Sequence, residues 1–231
     1  MDDREVLWTL KDVGKGLFIL ILLILLNFSL QTLPIKIPFA SPIVRTFQML
    51  LIYGFLVSVA WYYGVRTHRG RLKDLGFSSF NLWLGLKLGF VWLILVRALV
   101  ALYAIIAVVV FKFEPSPELI TGIPRLFGRG YLGLILALSI AAVVAPIAEE
   151  VFFRGFIYSA LRKSIGITGG IITSALIFAF FHAQSWLLIP VTIIGVVLAY
   201  LYEKTGSLGP PIILHALNNL ISVVLIYSIY G

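Results

Sequence analysis

Cysteine is absent from the chain. That excludes disulfides, thiol nucleophiles and thiolate metal sites, without indicating a compartment, because membrane helices need no covalent staples. Acidic residues are scarce, and the aspartates are confined to Asp2, Asp3, Asp12 and Asp74, all outside the long apolar stretches. A pair of aspartates within the membrane is therefore not available for catalysis. No His-Glu-x-x-His helix and no phosphate-binding glycine loop occurs. The one Gly-Ser-x-Gly stretch, Gly206-Ser207-Leu208-Gly209, lies at the start of a helix and not in a serine-nucleophile context. Internal repeats, low-complexity tails and inter-domain linkers are also missing, so residues 1–231 are read as a single domain.

What is abundant is apolar. Hydrophobic residues make up 61% of the chain and charged ones 12%, with mean hydropathy +1.06. These values lie far from a soluble domain and indicate an integral membrane protein. The expected fold is all-α, a polytopic membrane bundle of about seven to eight transmembrane helices. Residues 1–15 read as an amphipathic lead whose Val6, Leu7, Trp8 and Leu10 rest at the membrane interface. Asp2, Asp3, Glu5 and Asp12, and the lack of a small-residue cleavage site after Leu30, argue that the first apolar segment is retained.

The spans are expected at about Gly16–Leu33, Ile43–Gly64, Leu82–Phe111, Tyr131–Lys163, Gly169–His182, Leu187–Tyr202 and Leu208–Tyr230. Pro34, Pro38 and Pro42 punctuate the first connection, and Asn27 within the first span is expected to be a helix-contact residue. Residues 112–130, with Glu114, Pro115, Pro117, Glu118, Arg125 and Arg129, form the longest polar link. The short fifth span is expected to be broken or partly embedded, with Gly169-Gly170 at one end and Gln184-Ser185 at the other.

The net charge of +8 resides mostly in short loops, where it orients helices and meets anionic lipid, so nucleic acid is not an expected partner. Arg4, Lys11, Lys15, Arg66, Arg69, Arg71, Lys73, Arg162, Lys163 and Lys204 fall on one side. Lys36, Arg45, Lys112, Arg125 and Arg129 fall on the other. Ten against five puts the amino terminus in the cytoplasm.

Against this apolar background a few polar side chains need a reason. An ionisable group in hydrocarbon costs at least a few kcal/mol, so it persists where it pairs or lines a wet cavity. Glu150 and Arg154 are four apart on a helix and can pair, while Glu149 is turned by roughly 100° and left free for proton chemistry. Pro146 removes the α-helical bond to Ala142 and should loosen the helix one turn earlier. Arg97, midway along the third span, is expected to partner an acidic residue on another helix. Further on, Phe178-x-x-x-His182 and His215-x-x-x-Asn219 add two imidazoles and an amide, with His215 and Asn219 sharing a face. These types offer water activation and oxyanion stabilisation. Two histidines and a glutamate could also bind zinc with an open position, and sequence leaves that alternative standing.

Glu149-Glu150-x-x-x-Arg154, Phe178-x-x-x-His182 and His215-x-x-x-Asn219, in that order on successive apolar segments, resemble the three motifs of the CAAX prenyl protease and bacteriocin-processing family. The resemblance covers about Ala145 to Leu220, so the helices of residues 131–230 would carry the catalytic motifs. It implies an intramembrane glutamate endopeptidase with no catalytic metal and no cofactor. Glu149 with His182 would activate water, and His215 with Asn219 would stabilise the oxyanion. Glu150, Arg154 and Phe178 would support them. The implied partners are a peptide or the C-terminus of a prenylated CAAX-type protein, together with membrane lipid, in a prokaryotic cell membrane. The alternative is a noncatalytic scaffold or bacteriocin self-immunity protein that uses the pocket for binding. A transporter is disfavoured because no inverted repeat with paired broken helices is seen.

Overall fold

The computed structural model describes residues 6–32, 41–113, 117–182 and 185–231. The expectations for Asp2, Asp3, Arg4, Glu5, Leu33, Pro34, Lys36, Pro38, Glu114, Pro115 and Gln184, and for the side chains of Asn27, Pro117, Glu118 and Ser185, lie outside what is described. Helices account for the regular structure, and no strand occurs among the described residues. They are α1 (Leu10–Thr32), α2 (Pro42–Trp61), α3 (Leu82–Val109), α4 (Pro117–Phe127), α5 (Gly130–Leu138), α6 (Ala145–Glu149), α7 (Ser159–Phe181), α8 (Leu188–Thr205) and α9 (Gly209–Tyr230). Five segments among the described residues are long and apolar enough to cross a membrane: Pro42–Arg66, Leu82–Val109, Gly130–Phe181, Leu188–Thr205 and Gly209–Tyr230. The chain is thus an all-α polytopic membrane protein. Its outward faces are apolar, as at Trp83 (81% exposed) and Phe90 (59%), since in lipid such side chains need no cover.

The 52-residue segment Gly130–Phe181 is two arms. Gly166 sits inside α7 at φ 77°, ψ 176°, a conformation essentially reserved for glycine, and breaks the helix there. Beyond it the chain folds back: a Cβ placed on Gly170 would lie 2.9 Å from the backbone nitrogen of Arg162, whereas eight residues of straight helix span about 12 Å. The break falls in the gap expected between the spans ending at Lys163 and beginning at Gly169, and Gly169 and Gly170 are themselves helical.

Within the first arm the winding changes twice. Residues Ser139–Val144 and Glu150–Tyr158 are π-helical, flanking α6 with Pro146 in its first turn. Proline has no N–H to give, so the loosening expected from sequence takes the form of wider turns. All nine residues of Glu150–Tyr158 are buried, and they form the centre of the core. Phe152, Phe156 and Tyr158 pack there with Phe178 from the returning arm and Tyr202 and Leu198 from α8.

One sequence expectation is corrected in the outer parts. Trp8 does not rest at the interface: it is fully buried, donating from Nε1 to the Phe156 carbonyl at 2.8 Å. An indole needs both an apolar slot and an acceptor, and the end of the core offers both. The polar link 112–130 contains α4, with Pro124 inside it and its last turn against the bundle through the buried Phe127.

Lys163 Nζ donates to the Val6 carbonyl (2.7 Å), His68 Nε2 meets Asp12 Oδ2 (3.1 Å), and Ser78 Oγ donates to the Gly206 carbonyl (2.9 Å). These bonds gather the amino-terminal lead, the basic Arg66–Lys73 loop, the Gly166 reversal and the α8–α9 turn at one end. At the α8–α9 turn Gly76, at φ 94°, lies so close to Tyr202 that a Cβ would sit 2.5 Å from its ring. Elsewhere, Arg45 Nη1 donates to the Arg125 carbonyl at 2.8 Å and Tyr227 Oη to that of Gly128 at 2.7 Å, tying α2 and α9 to the C-terminal end of α4.

Candidate active site

Glu149 and Glu150 stand at the junction of α6 with the second π segment, and the helix turns them apart. Glu150 points into the core. Its Oε1 accepts from Arg154 Nη1 at 2.9 Å, both side chains being essentially inaccessible (0% and 1%). The same oxygen accepts from His215 Nδ1 of α9 at 2.8 Å. Arg154 is held further by the Gly195 carbonyl of α8 (3.3 Å to Nη2) and by the Phe178 ring, whose centre lies 4.3 Å from the guanidinium carbon. The expected Glu150–Arg154 pair is present. His215 is an additional partner that helical spacing alone does not reveal.

Glu149 faces the other way, into a cavity of about 390 Å³ between α2, α3, α4, α7, α8 and α9. Its Oε2 lies 3.7 Å from His215 Nε2 and 3.9 Å from His182 Nε2, and it has no hydrogen-bond partner among the described residues. Both separations exceed a hydrogen bond. Each imidazole has its other nitrogen committed. His182 Nδ1 is 2.8 Å from the Phe178 carbonyl, four residues back, and His215 Nδ1 is on Glu150. A carbonyl and a carboxylate only accept, so both Nδ1 atoms carry hydrogen and both Nε2 atoms are presented to Glu149. Phe178 backs this arrangement, its ring 4.5 Å from that of His182 and 5.8 Å from that of His215.

Asn219 also lines the cavity, one turn beyond His215. Its Nδ2 donates to the Ala141 carbonyl at 2.8 Å. The local winding explains why that acceptor is free. In the π register Ala145 N–H bonds to Ile140, so the next donor, for Ala141, would be residue 146, and that is proline. The carbonyl orphaned by Pro146 is hence Ala141 and not the Ala142 expected for an α-helix. The amide nitrogen of Asn219 retains a second hydrogen for another acceptor.

The four residues expected to act together, Glu149, His182, His215 and Asn219, thus share one cavity. Sequence reasoning passed over Tyr53 of α2, whose hydroxyl donates to Glu149 Oε1 at 3.3 Å across 96 residues. Arg97 departs from its expectation: among the described residues it has no carboxylate partner, and its Nη2 bonds instead to the Asn218 carbonyl and, at 3.0 Å, to Ser222 Oγ of α9. Among those residues no group of three or more His, Asp or Glu side chains is arranged to hold a metal ion.

Comparison with known proteins places the same helices. Residues 131–221 match the family model described as "Type II CAAX prenyl endopeptidase Rce1-like", and all seven motif residues lie within them. "Putative membrane peptidase YdiL" of Bacillus subtilis (strain 168) is 31% identical over 90 residues, which are 39% of this chain and 37% of that protein. "UPF0177 protein YxdF" of Lactococcus lactis subsp. lactis (strain IL1403) is 26% identical over 102 residues, 43% of this chain and 54% of that one. The matches therefore span about a third to a half of these curated relatives. No solved structure matches the chain.

Proposed function

Taking residues 131–221 as helices of the Rce1-like CAAX prenyl endopeptidase family, we propose that the chain is an intramembrane endopeptidase that uses Glu149 as its base. What carries this function is the meeting of an unpartnered carboxylate oxygen, Glu149 Oε2, with the Nε2 atoms of histidines from two other helices in one cavity. Glu149 takes a proton from the water as the water oxygen attacks the scissile carbonyl carbon, with His182 orienting that water. The free amide hydrogen of Asn219 and, once its Nε2 also carries a proton, His215 donate to the oxyanion. The proton on Glu149 then passes to the peptide nitrogen as the C–N bond breaks, giving a new carboxylate and a free amine.

Glu150 and Arg154 hold His215 by its far nitrogen, and Tyr53 holds the second oxygen of Glu149. The substrate class is a membrane-associated peptide, with a prenylated CAAX-type tail the first candidate. The basic end of the bundle, with the amino terminus, faces the cytoplasm of a prokaryotic cell. The test is purified protein in detergent against a quenched farnesylated peptide library, with Glu149→Ala alongside. Cleavage that vanishes in the variant supports the assignment. Undiminished cleavage by Glu149→Ala would end the glutamate-base mechanism.

A further inference from the structure

Among the described residues, the cavity holds one charge that the chemistry above does not use. Arg97 projects into it from α3, a helix outside the family match, on the face lined by α9. Its Nη2 is taken by the Asn218 carbonyl and Ser222 Oγ, both neutral acceptors. Its Nε is buried with no hydrogen-bond partner, and no carboxylate among the described residues pairs with it. A guanidinium cannot shed its charge as a lysine can, so within a membrane bundle it calls for an anion. The fork of N–H groups suits a carboxylate.

Position adds a length. His215, Asn218, Asn219 and Ser222 follow each other along one face of α9, and Arg97 is fixed to the Asn218 and Ser222 end. From His215 to Ser222 the helix rises about 10.5 Å, at ~1.5 Å per residue. An extended peptide covers at most ~3.6 Å per residue, so about three residues fit between a carbonyl held at Glu149 and His215 and a group held at Arg97. Much of the remaining wall is apolar, including Val100, Val191 and Ile194, which suits aliphatic side chains between the two ends.

We propose that Arg97 binds the terminal α-carboxylate of the substrate and so fixes which peptide bond near the C-terminus meets Glu149. This rests on the endopeptidase function above, and it assigns a substrate-binding role to a residue of the half of the chain that the family match leaves out.

The experiment compares two S-farnesyl Cys-aliphatic-aliphatic-Ser peptides, identical except that one ends in a carboxylate and the other in a carboxamide. The wild type should cleave the free acid with a kcat/KM about ten- to a hundredfold higher, the span of one charge-assisted hydrogen-bonded contact. In Arg97→Gln the two rates should converge within about twofold, while Arg97→Lys keeps part of the preference. Melting temperatures of both variants report folding. Binding of both peptides to Glu149→Gln provides the same comparison without turnover, and should show the same preference, lost on adding Arg97→Gln.

Equal handling of acid and amide by the wild type, or a preference that survives in Arg97→Gln, overturns the carboxylate role while leaving a Glu149-dependent peptidase intact. Cleavage indifferent to Glu149 instead removes the endopeptidase mechanism, and the binding comparison then still decides the role of Arg97. Arg97-dependent binding that phosphatidylglycerol in nanodiscs abolishes, with no difference between acid and amide, would assign the arginine to a lipid phosphate and overturn the proposal.

Discussion

Glu149 and Glu150 are consecutive residues, yet they belong to two different regions of the molecule. The Glu150 side is closed: carboxylate, guanidinium, imidazole and aromatic ring meet with almost no accessible surface, and Oε1 alone takes two charged or polar donors. On the Glu149 side a carboxylate oxygen, two imidazole nitrogens, an amide and an arginine face one cavity with bonding capacity left over. Each carboxylate keeps one buried oxygen, Oε2, with no hydrogen-bond partner among the described residues, so what separates them is that Glu150 is locked by two donors on Oε1 whereas Glu149 borders the cavity. His215 spans the two regions, with Nδ1 in the closed one and Nε2 in the open one.

The sharpest way to break that contrast is to neutralise each carboxylate in turn. Glu149→Gln keeps the volume and removes proton acceptance, so single-turnover cleavage should fall by roughly 10²–10⁴-fold with the melting temperature nearly unchanged. Glu150→Gln strands Arg154 in a dry core and weakens the hold on His215. Its main symptom should be lost stability of about 3–5 kcal/mol, read as a lower melting temperature in the same detergent. Equal activity loss with no melting change in either variant would show that both carboxylates take part in the chemistry.

A third carboxylate lies outside the membrane and sharpens the comparison from the mild side. Burial tends to raise the pKa of Asp12, but hydrogen bonds from the Thr9 backbone and hydroxyl and the interaction with His68 outweigh it and hold the group below 3.8. A folded-state value below the unfolded one means that ionised Asp12 stabilises the fold above the unfolded pKa of about 3.9, and that this is lost as pH falls through the lower folded value. Asp12→Asn should therefore cost roughly 1 kcal/mol or less at neutral pH, a gap that closes in acid below about pH 4. Thermal melts of wild type and variant across pH 3–7 measure it. The smallest expected effect is that of metal removal: if Glu149 and His182 activate water unaided, activity should survive exhaustive chelation. Loss on chelation, restored stoichiometrically by zinc, would replace the glutamate base with a zinc site.

The closed region was the more legible in sequence. Glu150 and Arg154 pair within one helix, so four-residue spacing is enough to find them, and the order of the histidine motifs carried the family resemblance. The contacts between helices were not legible. Tyr53 on Glu149, Glu150 on His215 and Arg97 on Ser222 depend on how apolar helices are rotated against each other. In helices that are apolar on nearly every face, as α3 is, no hydrophobic stripe announces which face turns inward. Trp8 misled for a related reason: an indole suits an interface and a core equally well, and only the Phe156 carbonyl decides.

Pro146 has a reach that its own helix does not suggest. The hydrogen atom it lacks leaves the Ala141 carbonyl in want of a donor. Asn219 of α9 makes up the deficit, so a missing atom on one helix becomes a tether to another. Replacing Pro146 with alanine, ordinarily a gain for a helix, would here satisfy the carbonyl locally, cut the cross-link and release the amide from its post beside the cavity. The imino acid works as a remote clasp.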